Sequence, residues 1–82
     1  MNSWRRADPG DRGKLAGLSP RERQVLGLIA RGKSAKGIGL ILKISPRTVN
    51  VHSASIIRKL GAENRLQAVA IAVRAGLLAP DR

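Results

Sequence analysis

Apolar residues fall at helical spacing in four stretches of this chain, most of them marked by start or stop signals. Ser19 stands before the first, with Glu22 three residues later. In that pairing the hydroxyl and the carboxylate each accept from the other residue's backbone N–H. Pro20 takes the first helical position, where its missing N–H is no loss. Val25, Leu26, Leu28 and Ile29 carry the stripe to Arg31, and Gly32 ends it, which predicts a helix over about residues 20–31. Leu18, just outside the cap, can staple onto the first turn. A second, shorter helix follows the cap Ser34 and covers about 35–42. Ile38 and Leu42 face inward there, joined by one of Leu40 and Ile41. Lys43-Ile44 forms a tight turn, and a long helix begins at once. A short helix, a brief turn and a second helix make a helix-turn-helix unit.

The long helix covers about 46–60, with Ser45 as cap, Pro46 at the first position and Gly61 as the stop. At about 100° per residue its two faces separate. Val49, Ser53, Ile56 and Leu60 fall on one side; Arg47, Asn50, Val51, Ala54 and Arg58 fall on the other. The first face can pack into a core. The second offers a cation, an amide and small apolar groups, which suits the floor of a DNA major groove. The last helix, about 64–75 with Gly76 beyond it, carries two apolar stripes. Leu66, Val69 and Val73 form one, and Ala68, Ile71, Ala72 and Ala75 form the other, nearly opposite. A small domain can bury one stripe, which leaves the other for a partner. Ile71 is an unusual choice for solvent, so the stripe of Ala68, Ile71, Ala72 and Ala75 is the expected dimer interface. The fold expected is all-α, a four-helix domain over 18–79. A flexible basic leader over 1–17, broken by Pro9-Gly10, Gly13 and Gly17, precedes it, and a short tail over 80–82 follows.

Composition sharpens the functional side. Sixteen Lys and Arg stand against five Asp and Glu on 82 residues, a net charge of +11, which favours a polyanionic partner. The chain has no cysteine, so it has neither a disulfide framework nor a thiolate metal site, and a cytoplasmic location is expected. No apolar run approaches the ~20 residues of a membrane span. Arg5 and Arg6 lack the hydrophobic stretch of a signal peptide. No helix sets a Lys/Arg-rich face against a Trp/Phe/Leu face, which argues against a membrane partner. Trp4 is the sole aromatic residue, which argues against modules that stack single-stranded bases. His52 is the sole histidine, on the flank of the buried face, and reads as a packed residue. Glu22 and Glu63 are the only acids between Leu18 and Ala79, and Glu22 already has a capping task. General acid–base chemistry lacks candidates, so no enzyme activity, no cofactor and no metal are expected.

Several spaced elements agree with one family: Leu18-Ser19 with Arg21-Glu22, Gly32, Thr48-Val49, His52, Lys59-Leu60, Asn64-Arg65 and Ala68. Together they resemble the LuxR-type helix-turn-helix, the four-helix output domain of quorum-sensing regulators and many response regulators. The resemblance covers about 18–78. It implies a bacterial transcription regulator that binds inverted repeats in double-stranded DNA as a dimer, with the last helix as the dimer contact. It assigns Glu22, Leu26 and Gly32 to structure, Asn50, Val51 and Ala54 to the bases, and Ser34, Lys36, Arg47, Thr48 and Lys59 to the DNA backbone. The chain departs from the family where the second helix usually opens Ser-Asn-Lys-Glu-Ile-Ala: it has Ser34-Ala35-Lys36-Gly37-Ile38-Gly39. Each glycine weakens that helix by ~1 kcal/mol relative to alanine. Gly39 falls where helices cross closely. Asn50 stands where lysine is frequent, and Ala54 where a larger polar residue is common.

The chemistry divides the contacts in two. Arg47, Lys36, Lys43, Arg58 and Lys59 can neutralise phosphates, and the helix starts at Ser34 and Ser45 can donate N–H groups to them. Asn50 can pair with adenine through two hydrogen bonds, and Val51 can touch a thymine methyl. The leading expectation is a homodimeric, sequence-specific DNA-binding regulator. A second is an antagonist that forms a heterodimer with a related regulator through the last helix. The opening Ser-Pro-Arg-Glu-Arg also suits a promoter-binding region of a sigma factor, but His52 and Asn64-Arg65 with Ala68 argue against that.

Overall fold

The helix starts predicted at Ser19, Ser34 and Ser45 are each closed by that side chain. The computed structural model describes residues 9–77, with side chains from 13 onward, and contains five helices: α1 (Pro9–Ala16), α2 (Pro20–Ala30), α3 (Ala35–Leu42), α4 (Pro46–Leu60) and α5 (Arg65–Arg74). The Ser19 hydroxyl accepts from the Glu22 N–H at 3.0 Å, and the Glu22 carboxylate accepts from the Ser19 N–H at 2.8 Å. Ser34 accepts from the Gly37 N–H at 3.0 Å, Ser45 from the Thr48 N–H at 3.0 Å, and Asn64 from the Gln67 N–H at 2.8 Å. These bonds satisfy first-turn donors that the helices themselves leave unpaired. Gly61 ends α4 in the left-handed region, at φ 66°.

The core is assembled around α4, which packs against every other helix. Val49, Ile56 and Leu60 are buried together with Val25 and Leu26 of α2, Ile38 of α3, and Ala68, Ile71 and Ala72 of α5. The buried stripe of α4 is the one its sequence period predicts, Ser53 included.

Three expectations are corrected. First, order begins before residue 18. Pro9–Ala16 is helical, Leu15 is buried in the core, and α1 packs on both α4 and α5. Pro9 opens this helix at a position that suits it, but its glycines left no apolar period to read. The remainder of the expected flexible leader (1–8, Trp4 included) and the tail over 80–82 lie outside the described residues. Second, neither Leu40 nor Ile41 turns inward: they are 74% and 51% exposed. Third, the two stripes of α5 are exchanged. Ala68, Ile71, Ala72 and Ala75, expected at a dimer interface, are buried in the chain's own core, while Leu66 is 78% exposed. The small side chains of Ala68 and Ala72 let α5 approach its neighbours closely, and Ile71 is buried in the same core. Leu66 is left outside, while Val69 and Val73 of its stripe are half-buried.

Candidate nucleic-acid interface

The outer face of α4 follows from its capping and its packing. Ser45 accepts from the Thr48 N–H and also shares a hydrogen bond with the Thr48 hydroxyl at 3.0 Å, which fixes the first turn. With Val49, Ser53, Ile56 and Leu60 buried, the helix turns Arg47, Asn50, Val51, Ala54 and Arg58 outward, all exposed. Val51 is 64% exposed, although it is apolar. No acidic residue occurs anywhere on α4. The structure thus brings together the base-facing candidates Asn50, Val51 and Ala54 with the backbone candidates Arg47, Thr48 and Arg58.

The turn between α3 and α4 sets the height of that face. Lys43 holds the left-handed conformation, φ 61° and ψ 44°, and the Ile44 N–H donates to the Gly39 carbonyl at 3.0 Å. A side-chain carbon on Gly39 would lie 2.5 Å from the Ile44 carbonyl oxygen. Glycine is therefore what permits α3 to meet the start of α4 so closely. Ser34, Lys36 and Lys43 are exposed at the two ends of α3. Ser34 caps the Gly37 N–H, and the other first-turn N–H groups of α3 lack an intrahelical acceptor at a helix end where an anion is favoured.

Lys59 has a task that the sequence did not reveal. Its ammonium donates to the Glu22 carboxylate at 2.9 Å, with its side chain 40% exposed and that of Glu22 6% exposed. The Ser55 hydroxyl donates to the other oxygen of Glu22 at 2.6 Å. Lys59 thus has a structural partner, and the pair fastens the C-terminal half of α4 to the start of α2. The Glu22 carboxyl is held down at a pKa of about 2 by the Ser55 hydroxyl, the Ser19 backbone N–H and Lys59, against an upward push from burial. Ser55 was missed because only the fold pairs it with Glu22. Its one sequence signal is that it lies four residues before Lys59, on the same flank of the helix. His52 is half-buried on the flank of the core face. Among the described residues, no helix is long and apolar enough to cross a membrane.

Comparison with known proteins places this geometry. The family model described as "Bacterial regulatory proteins, luxR family" matches residues 16–72. The transcriptional activator protein BjaR1 of Bradyrhizobium diazoefficiens is 51% identical over 63 residues, 77% of this chain and 26% of that protein. SolR of Ralstonia solanacearum, also described as a transcriptional activator protein, is 49% identical over 61 residues, 74% of this chain and 26% of that protein. The transcriptional regulatory protein FixJ of Bradyrhizobium diazoefficiens is 48% identical over 66 residues, 79% of this chain and 32% of that protein. The chain thus spans about a quarter to a third of the length of these curated relatives. The solved structure of the transcription factor GerE superposes with a TM-score of 0.71 at 42% identity, covering 76% of this chain and 92% of that one. The capped helices, the tight α3–α4 turn and the matched span agree: the chain belongs to the LuxR family of bacterial regulatory proteins and carries its helix-turn-helix domain.

Proposed function

We propose that this domain binds double-stranded DNA with α4 in the major groove, as a dimer on an inverted repeat, and so regulates transcription. The observation that carries the reading is the outer face of α4. On a helix gripped by every other helix, Arg47, Asn50, Val51, Ala54 and Arg58 stand exposed with no acid among them. Arg47, Thr48, Arg58, Lys36, Lys43 and the start of α3 at Ser34 supply phosphate contacts, which set the orientation. Asn50 reads adenine and Val51 a thymine methyl. The similarity to the transcriptional activators BjaR1 and SolR and the transcriptional regulatory protein FixJ supports the same reading.

Dimerisation is assigned to the stripe of α5 left outside the core. Leu66 and Ala70 are exposed and Val69 and Val73 half-buried, a run at helical spacing with no charged side chain among them. An exposed leucine there suits a twofold contact in which the same patch serves both copies.

The test is selection of bound sequences from random duplexes, followed by titration of the selected site. An inverted repeat is expected. Arg47→Ala lowers affinity for every duplex and reduces the salt slope by about one. Asn50→Ala relaxes one base position by about 1–3 kcal/mol. Leu66→Glu abolishes joint occupation of the two half-sites and leaves half-site binding intact. Equal affinity for all duplexes refutes sequence reading. A stable dimer that shifts no DNA shows the antagonist role instead.

A further inference from the structure

Among the described residues four large apolar side chains stand exposed: Leu40, Ile41, Val51 and Leu66. DNA and a second copy account for Val51 and Leu66. Ile41 lies at the edge of a groove of about 360 Å³ between α2 and α3. Its floor is Leu28, Leu42 and Leu77, half-buried side chains that rest on the core. Its rim carries Arg23 and Arg31, both exposed, and among the described residues no acid lines it. Gly27 forms part of the wall, and a side-chain carbon there would meet nothing within 4 Å. None of the residues assigned to DNA, nor any of the Leu66 stripe, lines this groove.

We infer that the groove is a docking site for an acidic protein segment bearing apolar side chains, engaged while the domain sits on DNA. The two guanidinium groups select carboxylates, which they can bind through paired hydrogen bonds. The leucine floor selects apolar side chains; a phosphate would leave it unfilled. A second copy is a poor occupant, because the chain has five acids against sixteen bases and Glu22 is buried. That the groove stays open on DNA rests on the docking proposed above, so binding is measured on the free chain as well as on the complex.

The probe is a synthetic amphipathic helix with Leu on one face and Glu beside it, compared with a counterpart carrying Gln in place of Glu. Amide NMR shifts are followed in the full chain, alone and on the selected duplex. In both states the Glu peptide is expected to shift amides in α2, around Ile41 and Leu42, and at Leu77. The Gln peptide binds about tenfold more weakly. Gly27→Gln, a better helix former with open space for its side chain, blocks binding and leaves DNA affinity unchanged. Ile41→Ser weakens the peptide several-fold. The proposal is overturned if the shifts centre on the outer face of α4, which would mean general attraction to a basic surface. It is equally overturned if Gly27→Gln and Ile41→Ser have no effect, or if the duplex displaces the peptide. Should the chain bind no duplex at all, the free-chain titration still decides the groove and separates its failure from that of the DNA reading.

Discussion

Gly37 and Gly39 sit two residues apart on α3, and the structure predicts opposite outcomes when each becomes alanine. Both changes gain ~1 kcal/mol of helix propensity. At Gly37 the new carbon meets only the Ser34 hydroxyl, at 3.4 Å, an ordinary contact. Gly37→Ala therefore stabilises by about 1 kcal/mol. At Gly39 the carbon lies 2.5 Å from the Ile44 carbonyl oxygen. Carbon–oxygen contacts close at about 3.3 Å, so ~0.8 Å must be relieved. The obstacle is backbone and cannot rotate away. It belongs to the turn that ends at the Ser45 cap, so relief means moving the start of α4. Overpacking of this kind costs about 1–3 kcal/mol, which cancels or exceeds the propensity gain. The two variants should differ by about 1–3 kcal/mol in urea unfolding, and by roughly 4–8 °C in Tm for each kcal/mol. Gly39→Ala should also lose DNA affinity, because Arg47 and Asn50 move with the turn, while Gly37→Ala keeps it. Equal stabilisation by both variants would refute the close approach at Gly39.

Three other perturbations separate the parts of the core. The Glu22 carboxyl titrates at about 2 in the folded chain, down from 4.5; the folded state thus favours its ionised form, and the benefit, of order 3 kcal/mol, is complete above pH 4.5 and disappears as pH falls towards 2. Glu22→Gln should unfold at lower urea at neutral pH and lack the wild-type decline between pH 4.5 and 2; an identical decline would show that other carboxyls cause it. Leu15→Ala, just before the matched family span, should cost about 2–4 kcal/mol by chemical denaturation, whereas a dispensable leader would cost nothing. Among the described residues the buried Ser53 hydroxyl finds no hydrogen-bond partner, so Ser53→Ala should raise stability by up to about 1 kcal/mol, and a loss on calorimetry would mean that the hydroxyl is satisfied in solution.

What could be read in the sequence was local chemistry. Ser19 with Glu22, Ser34, and Ser45 with Pro46 mark helix starts through bonds that span three residues, and all formed where expected. The buried stripe of α4 was legible because its opposite face is polar enough to leave one choice. On α5 the two stripes are similarly apolar, and the choice between them depends on what the neighbours can accommodate. Ala68 and Ala72 pack closely against α2 and α4, which a stripe containing Leu66 could not do without opening the core. Pro9–Ala16 was missed because its helix rests on one buried leucine and on contacts with α4 and α5, distant in sequence. At the candidate site, the exposed face of α4 was visible and its fastening was not: the bonds from Ser55 and Lys59 to Glu22 cross 33 and 37 residues of chain.

That fastening divides α4 into two mechanical ends. The far end is held by the buried Glu22 carboxylate, where removing one partner leaves a desolvated charge unsatisfied. The near end is held by the Gly39 contact, the Ser45 cap and Lys43, whose left-handed backbone costs about 1–2 kcal/mol in a lysine. A glycine at residue 43 would remove that cost but also remove a cation from the turn. The residues proposed to read DNA, Asn50 and Val51, lie within two turns of the near end. Lesions at Glu22, Ser55 or Lys59 should therefore appear first as lost stability with half-site preference retained. Lesions at Gly39, Lys43 or Ser45 should appear first as lost DNA affinity in a chain that remains folded. A Ser55→Ala variant that lost base preference before it lost stability would mean that α4 pivots about its middle and is not held at both ends.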